Sequence, residues 1–114
     1  MSEYRTAGKT TVSADVLLTI ARMAALEVEG VSRMAPLRLG VKNILARGLE
    51  GVQVELEDNL VFVELSLVLE EDVNMRDVSR QVQQRVARAI SEMTGMEVGH
   101  VNIHIEDINF QSEE

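Results

Sequence analysis

The feature that most limits what this chain can become is a pair of alternating runs, Val52–Glu57 and Leu60–Glu70, joined only by Asp58-Asn59. In the first run Val52, Val54 and Leu56 fall on one side, and Gln53, Glu55 and Glu57 on the other. In the second, Val61, Val63, Leu65, Leu67 and Leu69 alternate with Phe62, Glu64, Ser66 and Val68. A period of two belongs to a strand, whose successive side chains point to opposite faces. Asp and Asn tolerate the positive φ of a tight turn. The pattern therefore predicts an antiparallel β-hairpin with one apolar and one mostly wet face. The apolar face needs a cover.

Two segments offer one. Ser13 is a good N-cap, with Asp15 in the first turn where negative charge suits the helix dipole. Val16, Leu17, Ile20, Ala21, Met23, Ala24 and Val28 follow at helical spacing, and Gly30 can take positive φ as the residue after the helix. The prediction is a helix over 14–28. Asn74 begins a second, with Asp77 three residues on as a shortened capping box. Val78, Val82, Val86, Ala89, Ile90 and Met93 form its stripe, and Gly95 ends it. Met23, Met93 and Met96 are expected in the core.

Beyond Gly95, Val98 to Phe110 reads as a last strand. Val101, Ile103 and Ile105 face in, and His100, Asn102, His104 and Glu106 face out. After Asp107 the apolar residues are Ile108 and Phe110, so the phase slips by one and a bulge or bend is expected near Glu106-Asp107. Thr10–Val12 and Val31–Met34 read as short strands, and Val41–Arg47 as a short helix ended by Gly48 and Gly51. The expected fold is α+β, a two-layer sandwich of two amphipathic helices on a mainly antiparallel sheet, in the order β-α-β-β-β-α-β. One domain is expected over 9–110, between flexible tails at 1–8 and 111–114.

Chemistry is harder to find. The chain has no cysteine, which excludes thiol catalysis, disulfides and Cys-based zinc sites. His100 and His104 would stand about 13 Å apart on a strand, too far to share a metal ion. His104 and Glu106 are nearer, but are read more simply as solvated strand residues. No serine lies in a Gly-x-Ser-x-Gly elbow, and the glycines form neither a dinucleotide fingerprint nor a P-loop. Glu70-Glu71-Asp72-Val73-Asn74 lacks the spacing and glycine of an EF-hand. No catalytic residue, cofactor or metal ligand is expected. Met1–Gly8 has no apolar core of a signal peptide, and no apolar run is long enough to span a bilayer.

Charge is the remaining signal. The net charge of −8 is unevenly spread. Gly30–Gly48 contains no acid, Glu50–Asp72 contains no base, and the second helix carries Arg76, Arg80, Arg85 and Arg88. Arg76, Arg80 and Arg88 lie away from its apolar stripe, with Arg85 nearer the flank. They, with Glu55, Glu57 and Glu64 of the hairpin, are the expected protein-interaction surfaces. Nucleic acid is not the expected partner: aromatic residues make up 3% of the chain, and there is no aromatic RNP pattern.

Several motifs taken together resemble a known family. Gly8-x-x-Thr11-Val12-Ser13-x-x-Val16-x-x-x-Ile20-Ala21 and Val28-Glu29-Gly30-Val31 are similar to the opening of the bacterial alkaline-shock (Gls-type) envelope stress response family. So are Gly51-Val52-x-Val54, Val82-Gln83-x-x-Val86, Ile90-x-x-Met93-Thr94-Gly95 and Val98-x-x-Val101-Asn102-Ile103-x-Ile105-x-Asp107-Ile108-x-Phe110. The resemblance covers roughly residues 8–110 and brings no catalytic residues.

The resemblance implies a non-enzymatic adaptor or scaffold in cell-envelope homeostasis, acting by protein association. It implies a cytoplasmic protein, peripheral at the inner face of the membrane through a partner and without insertion of its own. A membrane-anchor protein, a lipid-synthesis enzyme and further copies of the chain are the partners it suggests. Regulation of a lipid-precursor biosynthetic enzyme and RNA binding are the alternatives.

Overall fold

A computed structural model describes residues 12–36, 47–49 and 51–110. Its elements are α1 (Ala14–Leu26), β1 (Val31–Met34), β2 (Arg47–Leu49), β3 (Val52–Glu57), β4 (Leu60–Glu70), α2 (Met75–Thr94) and β5 (Glu97–Asn109). The fold is α+β, with two helices packed on one face of a mainly antiparallel sheet. The expected first strand falls on Thr10 and Thr11, outside the described residues, and Val12 lies in neither helix nor strand. Both expected tails and most of the expected short helix, 41–46, also lie outside them. Arg47, placed at that helix's end, instead opens β2, which pairs with β3 from Arg47↔Val54 to Leu49↔Val52.

Both helices begin as their sequences dictate. The Ser13 hydroxyl accepts from the Val16 N–H at 3.3 Å, and the Asn74 side-chain oxygen from the Asp77 N–H at 3.0 Å. At the far end of α2, Gly95 takes a left-handed φ of 78°. The end of α1 differs from expectation: it closes at Leu26 with Glu27 as its cap, two residues early. Gly30, at φ 106°, serves the turn into β1 instead. A Cβ on Gly30 would meet Val78 Cγ2 at 2.8 Å, so glycine also lets α2 pack against that turn.

The core lies between the helices and the odd-numbered face of β4. Leu17, Leu18, Ala21, Ala24 and Ala25 of α1 meet Val78, Val82, Val86 and Ile90 of α2 over Val61, Val63, Leu65, Leu67 and Leu69. Two expected core methionines are exposed instead. Met23 is 53% and Met93 69% accessible, while Met96 packs partly against the core. The buried stripe of α1 runs through Leu17, Ala21, Ala24 and Val28, which turns Met23 outward with Val16 seven residues before it.

β4 is the central strand, and one of its edges serves two neighbours in turn. β3 pairs along Leu60–Leu65 and β1 along Leu67–Leu69, both antiparallel. The handover falls at Ser66, whose N–H donates to the Gly51 carbonyl at 2.8 Å and whose carbonyl accepts from the Ala35 N–H at 2.9 Å. Gly51 has φ 84°, and a Cβ there would stand 2.4 Å from the Ala35 carbonyl oxygen. The other edge of β4 carries β5 in parallel, from Leu60↔Glu97 to Glu70↔Asn109. The expected slip is present: Ile105 pairs with Leu67 and Asp107 with Val68, leaving Glu106 as the extra residue. A second slip skips Gly99, where a Cβ would come within 2.4 Å of the Phe62 ring.

Candidate interaction surfaces

The register of β4 sorts the charged residues. Its odd positions are roofed by helices, so its even positions, with those beside them on β3 and β5, form the face turned away from the helices, where Phe62 and Glu64 are partly exposed and Ser66 and Val68 are buried. Gln53 pairs with Glu64 and Glu55 with Phe62, while His100, Asn102 and His104 pair with Phe62, Glu64 and Ser66. Glu55 and Glu64 are half-buried there, and Glu57 is exposed at the hairpin end. Arg76, Arg80 and Arg88 are exposed on α2, in the layer on the opposite side of the sheet. The two sets of expected surface residues are therefore kept apart by the thickness of the domain.

The arginines of α2 differ in what holds them. Arg85 reaches Glu27, the C-cap of α1, at 2.6 Å and ties the helices together. Arg88 meets Glu92 at 3.3 Å and Arg80 meets Asp77 at 3.7 Å, both well exposed and worth little to stability. Arg76 makes no ion pair among the described residues. It lines a shallow recess with Met75, Ser79, Ile105 and Ile108, where the start of α2 passes the end of β5.

On the face turned away from the helices Glu64 is a cross-strand clamp. Its carboxylate accepts from the Asn102 side-chain N–H at 2.9 Å and lies 2.7 Å from His104 Nε2. Beside it Phe62 and His100 stack with ring centroids 4.8 Å apart. Ser66, next along β4, is fully buried, and its hydroxyl has no hydrogen-bond partner among the described residues.

The sequence pattern makes Glu64 a solvated hairpin acid, and His104 and Glu106 solvated strand residues. The nearest carboxylate to His104 is instead 40 positions away, on a strand reached through a helix. No local pattern encodes that neighbour.

Among the described residues no three His, Asp or Glu side chains stand where they could hold one metal ion. The Phe62–His100 pair stands beside Glu55 and Glu64, whose charge repels a phosphate backbone. No described helix is long and apolar enough to cross a membrane.

Two helices packed on one face of a mainly antiparallel sheet define a small α+β domain. The chain belongs to the alkaline-shock protein 23 family, of cell envelope-related function, whose family model matches residues 2–110. It is 30% identical over 109 residues to the uncharacterized protein YqhY of Bacillus subtilis, covering 92% of this chain and 80% of that one. It is 26% identical over 106 residues to the uncharacterized protein YloU of the same organism, covering 89% and 88%. The uncharacterized protein Spy1535 of Streptococcus pyogenes is 29% identical over 102 residues, with 89% and 79% covered. No solved structure matches the chain.

Proposed function

We propose that the chain is a non-enzymatic adaptor or scaffold of cell-envelope homeostasis, and that it works by binding other proteins. The observation that carries this reading is the separation of charge across the domain. Arg76, Arg80 and Arg88 stand on the helix layer, and Glu55, Glu57 and Glu64 belong to the opposite sheet face. A domain with two unlike faces can hold two unlike neighbours, and complementary charge speeds and orients such contacts. The exposed α2 face suits an acidic partner surface. The family's cell envelope-related function supplies the setting.

In this reading the chain works in the cytoplasm, reaches the inner face of the membrane through an anchored partner, and also associates with its own kind. Capture of the tagged chain from a native lysate, followed by mass spectrometry, tests the proposal. Recovery of a membrane-anchor or lipid-synthesis protein supports it. Recovery of none of these, at bait levels that retain the fold, contradicts it.

A further inference from the structure

β3, β4 and β5 carry charge of one sign. Each holds acids, none holds lysine or arginine, and their other ionisable residues are His100 and His104. On the face turned away from the helices the register sorts them into rows. Glu57, Leu60 and Glu97 stand side by side at the hairpin end, and Glu55, Phe62 and His100 form the next row. Glu64 follows Phe62 two residues along β4. Neighbouring strands lie about 4.8 Å apart, and alternate residues of one strand about 7 Å. Phe62 therefore has Glu55 across from it, Glu64 beyond it, and Glu57 and Glu97 at the diagonals.

The ring at the centre is held in place. Phe62 lies over Gly99, where a Cβ would come within 2.4 Å of it, and His100 packs on it with centroids 4.8 Å apart at an angle of 50°. It stays partly exposed. Glu57 and Glu97 are exposed and make no ion pair among the described residues. The described strands place one arginine on this face, Arg33, opposite Val68. That is six residues beyond Phe62 along β4, or about 20 Å.

An aromatic face attracts a cation through its quadrupole, and carboxylates around it add to the attraction. Arginine suits such a site best, because its planar guanidinium stacks on a ring while its N–H groups reach carboxylates. We propose that this acid-ringed phenylalanine receives an arginine side chain from a basic segment of a partner protein, and that flanking cations of the segment meet Glu57 and Glu97. The inference rests on the adaptor reading and names the chemistry of the partner on its acidic side.

The test pans the purified chain against a phage-displayed library of random octapeptides at about 0.15 M salt, where charges are screened over about 8 Å. Enriched sequences are expected to contain arginine. A synthetic peptide of the winning sequence is expected to bind about tenfold more weakly to Phe62→Leu, which alters no charge, and to Glu57→Gln with Glu97→Gln, a loss near 1.4 kcal/mol in each case. Glu29→Gln with Glu92→Gln removes the same charge from exposed positions on the helix side and is expected to leave affinity unchanged. Should Phe62→Leu unfold by circular dichroism, the two glutamine pairs make the comparison by themselves.

Four results overturn the inference: no enrichment above background, enriched peptides without arginine, affinity that a folded Phe62→Leu leaves unaltered, or equal weakening by both glutamine pairs. The last would mean diffuse attraction to a chain of net charge −8. It is also overturned if the purified chain sediments as a dimer that Glu57→Gln with Glu97→Gln dissolves, because a second copy then covers the ring. If no arginine peptide binds while Arg76→Glu with Arg80→Glu still abolishes capture of a native partner, this inference fails and the adaptor reading stands.

Discussion

Glu64 and His104 face each other across the parallel β4–β5 pair, with Glu64 Oε1 2.7 Å from His104 Nε2. Asn102 holds the other carboxylate oxygen at 2.9 Å, so one acid on the central strand ties down two residues of the edge strand. Both partners keep contact with water, the histidine side chain at 37% and the glutamate at 27% exposure.

That exposure limits what the contact is worth. A double-mutant cycle of Glu64→Gln and His104→Ala, read by urea unfolding, is expected to give a coupling of about 0.5–1 kcal/mol. A coupling indistinguishable from zero would show that the pair places side chains without stabilising the sheet.

Gly51 is the position with the least freedom. Its φ of 84° disfavours any other L-residue, and a Cβ would stand 2.4 Å from the Ala35 carbonyl oxygen and 3.0 Å from that of Ser66. Gly51→Ala is expected to cost about 2–4 kcal/mol, through backbone strain and a disturbed β1–β3 junction. Thermal unfolding measures it, and a loss below 1 kcal/mol is too small for the clash described.

The Ser66 hydroxyl gives a prediction of the opposite sign. It is buried without a hydrogen-bond partner among the described residues. An unmade buried hydrogen bond costs about 1–3 kcal/mol. Ser66→Ala is therefore expected to leave stability unchanged or raise the melting temperature, by calorimetry. A clear fall would mean that the hydroxyl is satisfied.

Val86 and Met93 share the apolar stripe of α2 in the sequence but not in the fold. Val86 is fully buried and Met93 is 69% exposed. Val86→Ala is expected to destabilise by about 1–4 kcal/mol through lost burial and a cavity. Met93→Ala should stay within about 0.5 kcal/mol. Equal costs by chemical denaturation would contradict the packing described.

The hairpin, the two N-caps, Gly95 and the slip at Glu106 were readable because each depends on residues close in sequence. Val52–Glu57 and Leu60–Leu67 alternate on either side of the Asp58-Asn59 turn, and Ser13 and Asn74 bond three residues ahead. What escaped depends on distant neighbours. The parallel partner of β4 lies beyond a whole helix, so Glu64 could not be matched to His104. Met23 and Met93 are apolar in a helical pattern, yet burial depends on where the sheet ends and the helices cross. Arg47 was placed in a helix because the pairing that makes β2 a strand comes from β3. Arg76, Arg80, Arg88 and Glu57 are exposed and Glu55 and Glu64 half-buried, and the placement of the two sets on opposite sides of the sheet follows from the strand register.

Charge reversal on each face tests the central claim most directly. Capture from native lysate is compared for the unaltered chain, for Arg76→Glu with Arg80→Glu, and for Glu55→Lys with Glu57→Lys, all checked for an unchanged melting temperature. The bipolar adaptor predicts that the arginine variant loses one set of envelope-related partners and that the glutamate variant loses a different set or none. Identical partners and yields for all three chains would contradict it, since neither charged face would then be in use.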